Sequence, residues 1–313
     1  MSTSLNNRAR PRTRASRREN TLSPLSGALL NAAFLIVSLA CLMPVVLVIL
    51  VSFTHGDAIL KNGYSFWPEQ FSLIAYTSIF KDYGTVAGGY AVSIGVTIAG
   101  TALSVVLMAL FAYPISRGDY PYRHAFTFFL FFTMLFNGGV VSRYLVYTQL
   151  LGLKDQYMAL ILPLLIVPFN VIIMRTFFQT TIHPALIESA RIDGAGELRI
   201  FFRIVLPLSL PVMATMALFS TINYWNDWFN ALLFITSEHK YPLQYLMMRV
   251  LNDVQYLRSN VELAAQNPEL LRDLPNESLQ MAMAVVGMGP ILIVYPFFQK
   301  YFVKGLTVGA IKG

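Results

Sequence analysis

The sequence predicts an all-α integral membrane protein. Six transmembrane helices are expected, with both termini cytoplasmic and a polar cytoplasmic elbow between helices four and five. Three observations carry this. Hydrophobic residues make up 56% of the chain and charged residues only 12%, about half the charged share of an ordinary soluble domain. Charge is segregated, with none in 28–53 or in 83–116. The basic residues are also divided unevenly between the two sides that these runs define. Mean hydropathy is +0.57, so the 313 residues read as one membrane domain.

The chain opens with Arg8, Arg10, Arg12, Arg14, Arg17 and Arg18 against a single acid, Glu19. No apolar pattern accompanies them, so residues 1–27 are expected to be a disordered basic tail. Ahead of an apolar run, such a tail reads as a cytoplasmic flank that can touch anionic lipid rather than as a nucleic-acid arm. The net charge of +7 fits the same reading. The run 28–53 is longer than the apolar core of a signal peptide and is expected to be a retained span, kinked near Pro44. The single Cys41 within it excludes an internal disulfide.

Residues 54–87 are mixed and polar and are placed outside. A second span fits 89–114, where Gly88, Gly89, Gly95 and Gly100 favour close helix packing. Arg117, Asp119 and Arg123 mark a short inside loop. Helix three begins near His124 and reaches Phe136, or further if Asn137-Gly138-Gly139 stays helical. Helix four covers 156–178, and Pro163 and Pro168 predict a kinked or partly unwound span. Broken backbone at membrane depth must lie against protein or water, so Asn170 is a candidate for a substrate cavity or for an interhelical hydrogen bond.

Helix five is expected over 207–235. A continuous helix would place Asn223, Asn226 and Asn230 on one face and Trp225 beside Trp228 on another. Amides bond hydroxyls and flat rings stack on sugar faces, so Asn223, Tyr224, Trp225, Asn226, Trp228 and Asn230 are candidates for a sugar-lined pathway. An aromatic belt with interhelical amide bonds is the plainer alternative. Asp227 is expected at the outer end or in a wet cavity, because a charge at the bilayer centre costs about 2.5–3.5 kcal/mol. Residues 236–280 are a polar insert too long for a mere connector, and helix six follows at 281–303.

With the N-terminus inside, 15 of the 23 basic residues fall on the cytoplasmic side, as do 5 of the 16 acids. The positive-inside rule then supports two cytoplasmic ends. It also places 183–207 inside. There Pro184 suits a helix start, Gly194 breaks the helix, and Leu198, Phe201, Phe202 and Val205 recur at helical spacing up to Pro207. The stretch reads as helix, glycine turn, helix, a shape that fits a groove on another protein.

Within the elbow, Glu188-Ser189-Ala190, then Gly194, then Ile204-Val205-Leu206-Pro207 resembles the Glu-Ala-Ala signature of ABC-importer permeases, with Ser189 in place of the first alanine. Phe136-Asn-Gly-Gly139, Met174-Arg-Thr-Phe-Phe178, Tyr224-Trp-Asn226 and the ending from Tyr295 are similar to the carbohydrate-uptake branch, the maltose- and polysaccharide-type group. The resemblance covers 28–313 and leaves the basic tail out.

It implies a permease domain whose coupling elbow docks on an ATPase through Glu188, Ser189, Ala190, Asp193, Gly194, Ile204, Leu206 and Pro207. It further implies a heterodimer with a second homologous permease, a cytoplasmic ATPase dimer that holds ATP and Mg, and an external solute-binding protein facing loop 236–280. Transport of a sugar or oligosaccharide by alternating access across a bacterial inner membrane follows from it. A permease for a non-sugar solute, and a secondary transporter without an ATPase, are the alternatives. No Gly-Lys dipeptide occurs, so a Walker A loop is missing. The scattered His55, His124, His183 and His239 suggest neither a metal site nor catalysis. No cofactor is expected on this chain. Glu188 is expected either to meet a basic group of the ATPase or to pair with Arg191 one helical turn on.

Overall fold

The computed structural model describes residues 23–259 and 277–310. Residues 1–22 of the basic tail, Pro268 and Pro275 of the polar insert, and Lys312 lie outside the described residues; the tail expected to reach 27 is shorter, because the first helix already begins at Pro24. The described chain is almost entirely helical, and its one β feature is an isolated bridge between Thr54 and Phe71.

Two units are distinguished, 1–47 and 48–313. The described part of the first is the beginning of α1 (Pro24–Ser52), an uncharged helix that contains Pro44. In the second unit, short helices α2 (Gly56–Asn62) and α3 (Ile74–Ile79) precede the long α4 (Tyr83–Ser116). The second span is thus longer at both ends than 89–114. By length and composition α1, α4 and α15 (Glu277–Ala310) can each cross a membrane. Three bent helix pairs pass the same test if each counts as one span.

The first pair is α5 (Arg123–Leu135) and α6 (Gly139–Leu145), which a π-helical turn extends to Leu150. They meet at 115°. Helix three therefore stops at Leu135 and does not continue through the glycines. Phe136 is extended, Asn137 Oδ1 accepts the Gly139 N–H at 2.9 Å, and Gly139 takes φ +79°. A short side chain that bonds its own backbone competes with the helix here.

The second pair is α7 (Met158–Ile161), with a 3₁₀ turn to Leu164, and α8 (Pro168–Thr181), bent by 52°. This is the kink that Pro163 and Pro168 predict. Val167, which precedes Pro168, is extended as expected of a residue before proline.

The break frees backbone carbonyls, and side chains from other helices take them. The Tyr224 hydroxyl donates to Ile161 O at 2.9 Å, and Ser104 Oγ donates to Leu165 O at 2.7 Å. The same happens in α15, where Pro290 has no N–H to offer the Val286 carbonyl. Tyr90 donates to Val286 O at 2.8 Å and Trp225 Nε1 to Gly287 O at 2.9 Å.

The third pair joins the elbow to α12 (Leu210–Trp225) at 82°. Helix five then ends at Trp225 instead of running on to 235, and α13 (Phe229–Phe234) starts afresh. The Asp227 carboxylate explains the break. It accepts the Asn230 N–H at 3.1 Å and Asn230 Nδ2 at 2.7 Å, which offers the backbone a new first turn. The polar insert is itself helical over α14 (Leu243–Ser259), and the last span begins at Glu277, four residues earlier than expected.

α4 lies centrally in this unit, packed on α12 and α8, while α12 also packs on α15. Toward the elbow, Met108, Ala112 and Ile115 meet Met174, Phe178 and Met216 in one buried cluster. At the other end, Val96, Leu160, Tyr224 and Ala231 form a second. Of the four glycines, Gly100 and Gly89 allow close approach. A Cβ on Gly100 would lie 2.5 Å from the Tyr224 ring, and one on Gly89 2.7 Å from Leu246. Nothing crowds Gly88 or Gly95.

Asp155 fastens the connection before α7. It sits at φ +60°, a region that Asp tolerates better than most residues. It accepts from Ser237 Oγ at 2.6 Å, from the N–H groups of Ser237 and Thr236 at 2.9 and 3.0 Å, and from Lys240 Nζ at 3.0 Å. These donors hold its carboxyl well below the usual carboxylate range.

Three outcomes follow. Tyr224→Phe removes the hydroxyl bond to the buried Ile161 carbonyl, at about 0.5–1.5 kcal/mol, and lowers the melting temperature in detergent. Gly100→Leu lowers it further, because the ring itself must move. For Asp155 the folded state holds the depressed pKa. Its contribution is therefore complete above the unfolded value near ~3.9 and fades as pH falls below it. Asp155→Ala melts below the wild type at pH 7, and the gap between the two narrows on acidification toward pH ~3.

Candidate functional site

The elbow forms as a helix, a glycine turn and a second helix. Ile182 and His183 are extended, which separates α8 from α9 (Pro184–Ile192), and Pro184 opens that helix. Asp193 ends it, and Gly194 follows at φ +77°. The Gly194 N–H donates to Arg191 O at 3.0 Å and the Ala195 N–H to Ala190 O at 2.9 Å. This pair of bonds is the Schellman closure, which needs a left-handed residue where glycine carries no steric cost.

The chain restarts in α10 (Glu197–Ile200) and passes through a π-helical turn, Phe201–Val205, into α11 (Leu206–Leu208). Pro207 cannot donate to the carbonyl four residues back, and the ladder loosens ahead of it. Pro211 stands in the first turn of α12, and the direction changes at Ser209.

One side of the elbow is buried. Ala190, Ile200, Phe201 and Val205 join the cluster around Met108 and Phe178, and Ile204 and Leu206 pack against it. The other side carries Glu188, Ser189 and Asp193, all exposed, with Pro207 exposed at the far end. Ser189 Oγ donates to Leu186 O at 3.1 Å. Tyr113, Arg117, Gln179, Ile187, Glu188 and Arg191 line a cavity of about 400 Å³ between the elbow and the end of α4.

Arg191 does not pair with Glu188. It reaches the other way, donating to Glu197 Oε1 at 2.7 Å through one guanidinium nitrogen and to Asp119 Oδ2 at 3.1 Å through another. Arg117 completes a ring of four charges. It forms a fork on Asp119 at 2.9 and 2.6 Å and donates to Glu197 Oε2 at 2.7 Å. The Tyr113 hydroxyl lies between them, accepting from Arg117 at 3.0 Å and donating to Glu197 at 2.9 Å. The Arg117 fork holds the Asp119 carboxyl below its ordinary value. Sequence reading missed this ring, because its members are separated by up to 80 positions and no local pattern joins them.

The residues expected to form a sugar-lined face are dispersed. Because helix five stops at Trp225, Asn223, Asn226 and Asn230 do not share a helical face. Asn223 and Asn226 are exposed, while Asn230 is buried against Asp227. Trp225 and Trp228 are not neighbours. Trp225 is buried near Tyr90, and Trp228 meets Phe229 edge to face at 5.6 Å. Tyr224 is buried on Gly100 with its hydroxyl spent on Ile161. Asn170 is buried in the first turn of α8, and its Nδ2 has no hydrogen-bond partner among the described residues. Asn226 borders a cavity of about 430 Å³ with Gln244 and Gln280.

The comparisons with known proteins agree with one another. Residues 91–308 match the family model described as binding-protein-dependent transport system inner membrane component. The polygalacturonan/rhamnogalacturonan transport system permease protein YtcP of Bacillus subtilis (strain 168) is 40% identical over 286 residues, 91% of this chain and 97% of that protein. The arabinooligosaccharides transport system permease protein AraQ of Halalkalibacterium halodurans is 28% identical over 93% of this chain and 98% of its own. A chain in the crystal structure of a bacterial ABC transporter involved in the import of the acidic polysaccharide alginate superposes with a TM-score of 0.74. It is 31% identical and covers 90% of this chain and 99% of its own. The chain belongs to the binding-protein-dependent transport system inner membrane components.

Proposed function

We propose that this chain is one permease subunit of an ATP-driven importer that moves an oligosaccharide inward across the bacterial cell membrane. The observation that carries the reading is the elbow. It is a glycine-closed turn with one face sunk in the helix bundle and the other offering Glu188 and Asp193 beside an open cavity. That is the form expected of a part that docks in a groove on a second protein. The relatives named for polygalacturonan, arabino-oligosaccharides and alginate support a sugar polymer as the solute.

In this reading α1, α4, α15 and the three bent pairs are six spans with both termini inside. A second homologous permease completes the pathway, and a cytoplasmic ATPase dimer, holding ATP and Mg, receives the elbow. An external binding protein delivers the solute to the segment containing α14. ATP binding closes the ATPases and carries the elbow with them, and the spans alternate between outward-open and inward-open arrangements. Glu188, Ser189, Asp193 and Gly194 form the docking turn. Ala190, Ile204, Leu206 and Pro207 hold it to the bundle. Asn223, Asn226 and Trp228, which keep exposed or half-buried surface, and Asn170, with its free amide N–H, are the groups available to a solute.

The test is purification from the native host in mild detergent, with the partners identified by mass spectrometry. The wild type brings an ATPase and a second permease with it. Glu188→Lys inserts normally but reverses a charge at the docking turn, a change expected to cost about 2–5 kcal/mol at a paired site. It loses the ATPase and takes up oligogalacturonide at least ~10-fold more slowly. Wild-type uptake in that variant would remove Glu188 from the docking role.

A further inference from the structure

We propose that Arg117 and Asp119, at the end of α4, are positioning residues that strut the elbow to α4, so that a displacement of the elbow moves α4 with it. The proposal rests on the reading of the elbow as an ATPase-docking part, and begins from a mechanical problem in the backbone. Each covalent route out of the elbow passes through a joint. On the α8 side lie the extended residues Ile182 and His183. On the α12 side lies the 82° bend at Ser209. Within the elbow, Gly194 separates α9 from α10. A push on Glu188 could be absorbed at any of these joints before it reached the spans.

The four-charge ring bypasses all three. Arg191 belongs to α9 and Glu197 to α10, one on each side of the Gly194 turn, while Arg117 and Asp119 follow directly on α4. Arg117 grips Glu197 and Asp119 together, and Arg191 grips the same two carboxylates from the elbow side. The ring therefore freezes the turn and fixes it to α4 in one arrangement. Arginine suits the task because its planar fork holds two carboxylates at set angles.

Apolar packing also joins the elbow to α4, with Phe201 against Tyr113 at 5.4 Å between ring centroids, and the ring adds a directional polar link beside it. A cavity of about 400 Å³ borders it on the Glu188 side and one of about 450 Å³ on the Leu198 side, and both are lined by Tyr113, Arg117, Asp119 and Arg191. The strut crosses between two hollows. Isolated exposed ion pairs contribute little to stability. The Arg117 side chain, however, is only 10% exposed, and the pairs share members, so the ring acts as a network. The helix it reaches is the one packed on both α8 and α12.

The test uses the protein as purified from its host, with the subunits that accompany it. Two quantities are read for Arg117→Ala, for Arg117→Lys and for the shape-preserving pair Asp119→Asn and Glu197→Gln. One is amide hydrogen exchange over 184–200, which needs no ATPase. The other is ATP hydrolysed per oligogalacturonide transported in proteoliposomes. In Arg117→Ala, exchange over the elbow rises at least tenfold. ATP hydrolysis persists, and the ATP used per solute rises at least fivefold. Arg117→Lys, which keeps the charge but not the fork, falls between. If Arg117→Ala does not assemble, Asp119→Asn and Glu197→Gln give the same two readings.

Unchanged exchange in every variant overturns the strut, whatever the ATPase does. Raised exchange with an unchanged ATP-to-solute ratio shows a merely structural ring and overturns its role in transmission. A wild type that carries no ATPase overturns the functional reading and the transmission role with it, while the exchange data still report whether the ring holds the elbow.

Discussion

In a hydrocarbon environment a backbone carbonyl released from its helix has no water to turn to, and much of this architecture follows from that. Prolines release such groups in α7–α8 and in α15. The donors come from side chains on other helices, namely Tyr224, Ser104 and Tyr90, and Trp225 adds a bond to Gly287 O beside the released Val286 carbonyl. Each bond therefore does two things: it satisfies the carbonyl, and it ties together helices that apolar contact alone would hold only loosely, since lipid tails are as apolar as leucine. The arrangement in which α12 lies among α4, α7 and α15 follows from where these carbonyls fall.

The elbow obeys a different rule because one of its faces is exposed. Its turn is closed by two backbone bonds around one left-handed glycine, and the Arg191–Glu197 ion pair bridges it. Ala190 and Val205 anchor it, while Glu188 and Asp193 stay out. A part with one committed face and one uncommitted face is what a docking element requires, and the family to which the chain belongs is named for a transport system with more than one component.

What the sequence made legible was governed by local signals. Uncharged runs located α1, α4 and α15, with ends that differ from the expected ones by up to seven residues. Pro163 and Pro168 foretold the break before α8, and Gly194 between two amphipathic runs foretold the elbow. The end of α5 fell where Phe136 before Asn137-Gly138-Gly139 had placed it. The failure came in helix five, where Asp227 reaches its own backbone and ends the α12 segment, a choice that does not show in hydrophobic periodicity, which favoured continuous helix. The expected face of asparagines was lost with that continuity. Tyr224 and Trp225 read as solute-facing because amide and aromatic residues are ambiguous. Whether such a ring meets a sugar or a carbonyl depends on a neighbour far away in sequence. The charge ring was illegible for the same reason.

Tyr224 and Trp225 are adjacent in the last turn of α12, yet they serve opposite neighbours, one reaching α7 and the other α15. Successive residues of a helix point about 100° apart, so both bonds depend on one rotational setting. A single inserted or deleted residue between Leu210 and Tyr224 would turn both rings by that angle and leave each facing the wrong helix. The length of this helix is therefore fixed to the residue, whereas an exposed connection can lengthen at slight entropic cost. Differences in length among proteins built on this plan should accumulate in the connections and spare α12.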